Sequence, residues 1–346
     1  MRKIIYLFCM VFLLMFTGFV YNQPAGTLVV LSKSDNKAEL FSVKTWQKTG
    51  EIPTGIAPHE AAVSPDGRQV VVTNYGNRQP GNTLSVLDLV TKRVVRTIDL
   101  GEYTRPHGIV FLNDNVVLVT AEGKKAVVEV DIQSGKIRRA IPTDQQVSHM
   151  IVLSPDKHRA FVANIGSGTV SVLDLKNGRP ERIIPGQEGT EGIAWQPGSS
   201  LLWFSNRGAN TVMIYDAATA TVVDTLHTRD FPIRIAMSAV KPLALVSCAK
   251  AGVVDVFHYR TRKRVASIPM GVTPAADVET RLFKDRFGKS PVPIGVVAHP
   301  HVPLAFVANS NADVVAVVNL ETLKVVRYLP TAKQPDGMAW SPLDIQ

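Results

Sequence analysis

A phrase of short, apolar-rich segments recurs along the chain at a spacing close to forty residues. AFVANIGSGTVSVLDL at 160–175 is echoed by LWFSNRGANTVMIYDA at 202–217 and by AFVANSNADVVAVVNL at 305–320. A fixed period of this length, made of β-rich runs separated by turn residues, is the signature of a radial repeat array. The repeat therefore predicts an all-β propeller.

The register of the repeat is set by the residue that opens the first strand of each copy. These residues are His59, His107, His149, Glu191, Ile233, Ile294 and Asp336. Four of the six separations between consecutive ring residues are 42 residues. The separation of 48 is explained by a longer loop around 78–81, and the separation of 61 by an insertion within 272–293. Inside one copy, strand-like runs at 192–195, 201–205, 211–216 and 221–226 are separated by turn residues. Four short strands make one blade, and we expect seven blades.

The two ends of the chain predict how the ring closes. The repeat begins in the middle of a blade, with three strand-like runs over 26–55 and no opening strand. PDGMAWSP at 335–342 matches the opening run HEAAVSP at 59–65. We therefore predict that the last strand completes the first blade, which removes exposed sheet edges, and that 26–346 forms a single domain.

These segments resemble a known family, the YVTN-type β-propeller repeat proteins. The matching pieces are GIAPHEAAVSPDGRQVVVTN at 55–74 and AFVANIGSGTVSVLDL, and the resemblance extends over nearly everything after residue 26. It implies a seven-bladed propeller. It does not imply one function, because relatives of this repeat include nucleic-acid binders, surface proteins, lactonase-like enzymes and quinoprotein-associated proteins.

The N-terminus and the charge distribution bear on location and partners. Arg2 and Lys3 precede an apolar run from Ile4 to Tyr21, so 1–25 is predicted to be a signal peptide or a signal anchor. We expect an exported protein, periplasmic or extracellular, that contacts a membrane only through an uncleaved N-terminal segment.

The net charge is +9, and much of the excess lies in third-to-fourth-strand turns such as 92–93, 136–139 and 260–264. Such a basic face is compatible with nucleic-acid binding, but few aromatic residues are interleaved with it.

The residues that open the first strands carry the main functional prediction. In a propeller these strands line the central channel, so their first residues form a ring at one mouth, here called the top mouth. Asp336, His59, His107, His149 and Glu191 are consecutive around this ring. Three imidazoles flanked by two carboxylates suit zinc, copper, nickel or iron. We therefore expect a binding protein that holds a transition metal through His59, His107 and His149, with Glu191 and Asp336 as further ligands or their partners.

Two other functions stay open from the sequence, and so does the question of whether the protein is an enzyme. A metal-free enzyme resembling seven-bladed lactonases would use a histidine as general base and Glu191 as its acid partner. In that case Arg105 or Arg234 would hold a small polar ligand through its carboxylate or phosphate. An interaction scaffold would need none of these residues, and the ring would then only bind channel water.

Two further patterns belong to the same mouth. The residues that close the second strands form a second ring, and asparagine in this ring is expected to fix loops through its side chain. The ring consists of Lys33, Asn74, Ala121, Asn164, Asn206, Cys248 and Asn309.

The insertion carries Thr273 as a helix cap, Pro274 in the first turn and Gly288 as a stop. It predicts a short amphipathic helix near 273–288 that forms one wall of a pocket.

Overall fold

The computed structural model describes residues 24–281, 284 and 286–346. These residues form seven four-stranded antiparallel sheets. The innermost strand of each sheet contacts the innermost strands of the two neighbouring sheets, and these contacts close into a ring. The predicted all-β, seven-bladed propeller is confirmed.

Each blade uses four strands of about six residues. In chain order the strands are β1 (Thr27–Ser32), β2 (Lys37–Ser42), β3 (Lys48–Pro53), β4 (Pro58–Val63), β5 (Gln69–Gly76), β6 (Pro80–Asp88), β7 (Arg93–Asp99), β8 (Pro106–Phe111), β9 (Val116–Ala121), β10 (Ala126–Asp131), β11 (Lys136–Pro142), β12 (Ser148–Leu153), β13 (Arg159–Asn164), β14 (Thr169–Asp174), β15 (Arg179–Pro185), β16 (Thr190–Trp195), β17 (Leu201–Asn206), β18 (Thr211–Asp216), β19 (Thr221–His227), β20 (Pro232–Met237), β21 (Leu243–Cys248), β22 (Val253–His258), β23 (Lys263–Pro269), β24 (Pro293–Ala298), β25 (Leu304–Asn309), β26 (Val314–Asn319), β27 (Lys324–Pro330) and β28 (Pro335–Ser341). Blade 1 comprises β28 and β1–β3, and blades 2–7 are consecutive groups of four strands that begin at β4.

The ring closes as the sequence predicts. Strand β28 pairs antiparallel with β1, with Leu28 opposite Trp340, and it takes the innermost position of blade 1. Beyond β28, the Thr27 hydroxyl donates to the Leu343 carbonyl at 2.7 Å. The two ends of the described chain therefore lie in one sheet, and no first or last blade presents an unpaired inner edge.

Apolar packing between blades holds the ring rigid. One core cluster joins Val71 and Leu84 of blade 2 to Val117 and Val128 of blade 3, and all four are fully buried. Burying one such side chain contributes about 1.5–3 kcal/mol. Equivalent clusters lie at the other blade interfaces. The outermost strands carry mainly exposed residues, as in Arg179–Pro185, so the rigid part of the molecule surrounds the channel.

A repeated backbone irregularity aims residues into the channel. In blade 2, Pro58 pairs with Asn74 and Ala61 with Val72, so the inner strand has one residue more than its partner. This β-bulge occurs at the same place in every blade. The residue two positions before each ring residue has a positive φ: Ala57, Arg105, Val147, Gly189, Phe231, Val292 and Gln334. Because a bulge re-aims side chains, the ring residue and the residue after it can both face the channel.

The insertion between blades 6 and 7 contains less helix than the sequence indicates. Its helical part among the described residues is one 3₁₀ turn, Val278–Thr280. Leu282 and Phe283 of the same segment lie outside the described residues. Arg281 is buried and binds Asp277 and Asp313, with both pairs at 2.6 Å, which fastens the segment to blade 7.

None of the described helical segments has the length and apolar character needed to cross a bilayer. The basic and apolar N-terminal stretch of the predicted signal lies outside the described residues, which begin at residue 24.

Candidate functional site

The seven ring residues converge at the top mouth, where they line one cavity of about 270 Å³. The ring centroids of His59 and His107 are 5.1 Å apart, and those of His107 and His149 are 3.5 Å apart. Glu191 and Asp336 are 2% and 3% exposed, so the polar arc is buried in the channel. The structure therefore brings together all five residues that the sequence singled out as metal ligands or their partners.

Hydroxyl groups of the second strands hold the inner strands of neighbouring blades together. Thr120 donates to the His149 carbonyl at 2.6 Å and accepts from the Gly108 amide at 2.8 Å. Thr73 makes the same bond to the His107 carbonyl at 2.9 Å. At Gly108 an added Cβ would lie only 2.4 Å from the His149 carbonyl oxygen. The inner strands that carry His107 and His149 therefore lie too close together to accommodate a side chain at position 108.

Five residues that the sequence analysis missed also line the cavity, and one of them is Val147. Tyr75, Glu122, Ile165 and Arg207 each follow directly after a residue of the second ring. The same repeat register would have found them, because the residue after the second-ring position lines the mouth in each of blades 2 to 5. Cys248 of the second ring is buried, and its thiol donates to the Val246 carbonyl at 3.6 Å. Burial raises the pKa of this thiol, which keeps it protonated.

His149 lies between two carboxylates. Its Nδ1 donates to Glu122 Oε1, and Glu122 Oε2 accepts a hydrogen bond from the Tyr75 hydroxyl at 2.6 Å. Its Nε2 lies 3.2 Å from Glu191 Oε1, but the direction does not suit a hydrogen bond. Burial alone lowers the pKa of His149, and the two carboxylates outweigh it, so the pKa is raised above its ordinary value of 6.5.

The other two histidines are neutral nitrogen donors. Burial, with the positive charge of Lys33, lowers the pKa of His59 to about 3. Burial and the neighbouring histidines likewise lower the pKa of His107. His59 Nδ1 donates to the Ala57 carbonyl at 2.8 Å, which leaves the Nε2 lone pair available. His107 Nδ1 is buried and has no hydrogen-bond partner in the described part of the chain.

The two predicted carboxylate ligands are already paired with cations. Asp336 binds Lys33 at 2.6 Å, and Glu191 binds Arg207 at 2.7 Å and Arg234 at 2.9 Å. Although burial raises the pKa of Glu191, its interactions with His149 and the two arginines lower it to about 2. A carboxyl group with this pKa carries no proton at neutral pH. The two ion pairs of Glu191 with arginine therefore favour its deprotonated form, which accepts hydrogen bonds but donates none.

The two arginines expected to hold a ligand have different surroundings. Arg234 lines the cavity and also binds Glu60 at 2.8 Å, so this ion pair crosses the channel from blade 6 to blade 2. Arg105 lies 4.8 Å from the centroid of the Tyr75 ring and donates to the Gly76 carbonyl at 3.2 Å. Arg105 is not among the residues that line the cavity.

The fixed charges around the cavity do not balance. Four carboxylates, those of Glu60, Glu122, Glu191 and Asp336, face three permanent cations, Lys33, Arg207 and Arg234. One negative charge is left over. In a buried site such a charge is balanced by a proton on Glu60, whose pKa is raised by burial, by a proton on His149, or by a bound cation.

One group of side chains at the mouth meets the distance requirement for a metal. Ligand atoms of His107, Glu122 and His149 all lie within 4.8 Å of one another. Two imidazoles and a carboxylate are suited to zinc, iron, nickel or copper. His59 is next to this group but not part of it.

The apolar arc of the mouth packs against aromatic side chains. Ile233 and Ile294 pack with Val292 and Ala249, and the aromatic rings of Phe231 and Phe287 pack against this cluster. Phe287 belongs to the insertion, so the insertion packs against the apolar arc. No described residue of the insertion lines the mouth cavity itself.

Several basic residues of the third-to-fourth-strand turns are committed to their own blades. Arg138 binds Asp131 at 2.6 Å, and Arg139 binds Glu129 at 2.7 Å. Arg264 binds the fully buried Asp255 at 3.0 Å. These ion pairs stabilise the outer strands and neutralise part of the positive charge of the turns.

Comparison with known proteins establishes the fold and a distant relationship. No family model matches the chain, so membership of the YVTN-type family stays a prediction. The chain is 29% identical over 126 residues to a protein named YncE, of uncharacterized function, from Salmonella typhi. The same identity is found with YncE of Salmonella typhimurium. Each match spans 35% of this chain and 35% of the YncE protein.

Two solved structures share the architecture. A functionally unknown protein from Desulfotomaculum acetoxidans has a TM-score of 0.74 at 17% identity, over 92% of this chain and 99% of that one. The dihydro-heme d1 dehydrogenase NirN, solved in complex with DHE, has a TM-score of 0.64 at 17% identity. That similarity covers 89% of this chain and 64% of the NirN chain. At such identity the likeness concerns the fold alone.

Proposed function

We propose that this propeller binds a transition-metal ion at the top mouth through His107, His149 and Glu122. The observation that carries the proposal is the buried and unpaired Nδ1 of His107 beside His149 and Glu122, with ligand atoms within 4.8 Å. A buried nitrogen without a partner is costly, and a metal ion satisfies it. The leftover negative charge at the mouth favours the same occupant.

The surrounding residues have defined parts in this proposal. His59 stands beside the cluster as a further neutral nitrogen donor. The Tyr75 hydroxyl donates to Glu122 and fixes the direction of its carboxylate. Glu191 and Asp336, which the sequence suggested as ligands, remain with their cations and set the charge of the cavity. The ion would supply Lewis-acid or redox chemistry when bound.

The test is the metal content of the purified protein after incubation with zinc, copper, nickel or iron(II) and removal of excess ion. We expect about one ion per chain, and loss of that ion in the His107→Ala/His149→Ala variant. The matched control is His158→Ala/His227→Ala, since both of these histidines are exposed on the surface. The same content in both double variants, or no ion in the parent protein, would reject the proposal.

A haem-type ligand is the second candidate, because NirN, solved with DHE, has the same fold and histidine is a common axial ligand of haem iron. The cavity of about 270 Å³ favours an ion or a very small molecule, since pockets for larger ligands enclose about 300–1,000 Å³. Titration with haemin, followed by its visible absorption, separates the two candidates. A saturable spectral change that requires His107 would favour haem.

The exported location is part of the proposal. Its support is the basic and apolar sequence of 2–21. Fractionation of cells that express the full chain or a chain lacking 1–25 tests it, with recovery outside the cytoplasm expected for the full chain alone.

A further inference from the structure

A second cavity adjoins the mouth on the side of blades 4 and 5. It encloses about 310 Å³ and is lined by Ile165, Glu188, Gly189, Arg207, Gly208, Phe231, Arg286 and Phe287. Ile165 and Arg207 line both cavities. A molecule in the second cavity would therefore lie beside the cavity at the mouth, with the Arg207 side chain between them.

Aromatic rings form one wall of this cavity. The centroids of Phe231 and Phe287 are 4.9 Å apart at an angle of 58°. Both side chains are half-buried. Two rings at this distance and tilt give a planar ligand both a face and an edge to contact.

The cavity also presents positive charge. Arg286 is exposed, and it has no hydrogen-bond or ion-pair partner within the described residues. Arg207 lies 5.1 Å from the Phe231 centroid and uses one guanidinium nitrogen, Nη1, to bind Glu191. Among the described residues that line the cavity, Glu188 is the one carboxylate. Guanidinium groups bind carboxylates with two parallel hydrogen bonds and stack on aromatic rings.

We infer that the second cavity binds a small aromatic carboxylate, with its ring against Phe231 and Phe287 and its carboxylate at Arg286 and Arg207. This inference deepens the proposed function and rests on it for the position of the metal, because the bound acid would face the ion across Arg207. The volume of the cavity suits a ligand the size of benzoate, at the lower end of small-molecule pockets. In this proposal the insertion forms part of the ligand site, because it supplies both Arg286 and Phe287.

The experiment measures binding of benzoate to the metal-free full domain by calorimetry and ligand-observed NMR, with benzamide as the neutral analogue of the same shape. We expect benzoate to bind at least about tenfold more tightly than benzamide, because only the acid offers charge to the arginines. Arg286→Gln and Phe287→Ala should each weaken benzoate binding at least about fivefold. Lys284→Gln removes a positive charge from the same insertion outside the cavity and should have no effect.

Equal binding of benzamide, or equal effects of Arg286→Gln and Lys284→Gln, would overturn the inference whether or not the protein holds a metal. The metal position is tested separately, by comparing copper-loaded with zinc-loaded protein. Copper should broaden the resonances of bound benzoate, and zinc should not. If the protein holds copper at the mouth and benzoate binds without broadening, the two sites are not adjacent.

Discussion

The Glu122 carboxylate accepts a hydrogen bond from His149 Nδ1 across the interface between blades 3 and 4. Glu122 begins a 3₁₀ turn after β9, whereas His149 is the second residue of β12. The bond therefore joins a loop position to a ring position of the next blade. Since the Tyr75 hydroxyl holds the other oxygen of Glu122, residues of three blades determine one imidazole orientation.

Replacing Glu122 tests its part in metal binding. Glu122→Gln keeps the size of the side chain but removes its charge, so the affinity for zinc or copper should fall by at least about tenfold. The measurement is calorimetric titration of the metal-free protein. Glu102→Gln is the matched control, because Glu102 is exposed and binds only the exposed Lys124 among the residues described here. Equal affinities of the two variants would remove Glu122 from the site.

Metal binding should compete with the proton on His149. The raised pKa of His149 means that the imidazolium persists to a higher pH than in a free histidine, and a metal must displace its proton. Affinity should therefore increase as the pH rises above about 6.5, with proton release on binding. Titrations in buffers of different ionisation enthalpy measure the released protons. An affinity independent of pH between about 6 and 8 would contradict this account.

The same proton affects the stability of the metal-free protein. A raised folded-state pKa stabilises the fold fully below the ordinary value of 6.5, and this stabilisation is lost as the pH rises through the folded-state pKa. His59 and His107 have lowered pKa values and act in the opposite direction. The difference in unfolding free energy between the parent and His149→Gln isolates His149. That difference should shrink as the pH rises above 6.5, and a constant difference would refute the assignment.

The ion pair across the channel should be costly to break. Arg234→Met leaves Glu60 without its partner and Glu191 with one arginine, so the free energy of unfolding should fall by about 3–5 kcal/mol. Adding Glu60→Gln removes the stranded charge and should recover part of the loss. Denaturant unfolding of the single and double variants measures both effects. A double variant as unstable as the sum of its single changes would show that the two residues are not coupled.

Close approach of backbones at the ring predicts a specific glycine requirement. Gly108→Ala would place a Cβ 2.4 Å from the His149 carbonyl oxygen, so it should destabilise the fold by about 2–3 kcal/mol and weaken metal binding. Gly198→Ala is the control, because Gly198 has φ +65 and no atom within 4 Å of the added Cβ. It should cost about 1 kcal/mol and leave metal affinity unchanged. Equal effects of the two substitutions on metal affinity would contradict the packing argument.

The repeat made the fold and the ring predictable. Positions 42 residues apart occupy equivalent places, so His107, His149 and Glu191 could be placed at one mouth without any local motif. The closing strand was predictable for the same reason, because 335–342 matches an opening strand. The symmetry of the repeat therefore locates the ring residues and the closing strand, which composition and hydropathy do not locate.

The chemistry of the mouth was less predictable, because it depends on which side chains meet across the channel. The pairing of Glu191 with Arg207 and Arg234 joins residues 16 and 43 positions apart, and strand periodicity does not encode such contacts. The β-bulge at each ring position breaks the period of two, which turns Arg234 into the channel beside Ile233. Glu122 was not predicted because it lies one residue after Ala121, the second-ring position of its blade.

The most direct test of the central claim is anomalous diffraction from crystals of the zinc-loaded protein, recorded on both sides of the zinc absorption edge. The account predicts one strong peak at the top mouth, about 2.0–2.2 Å from nitrogen atoms of His107 and His149 and an oxygen of Glu122. A peak only at surface histidines such as His158, or none at the mouth with zinc in excess, would contradict it.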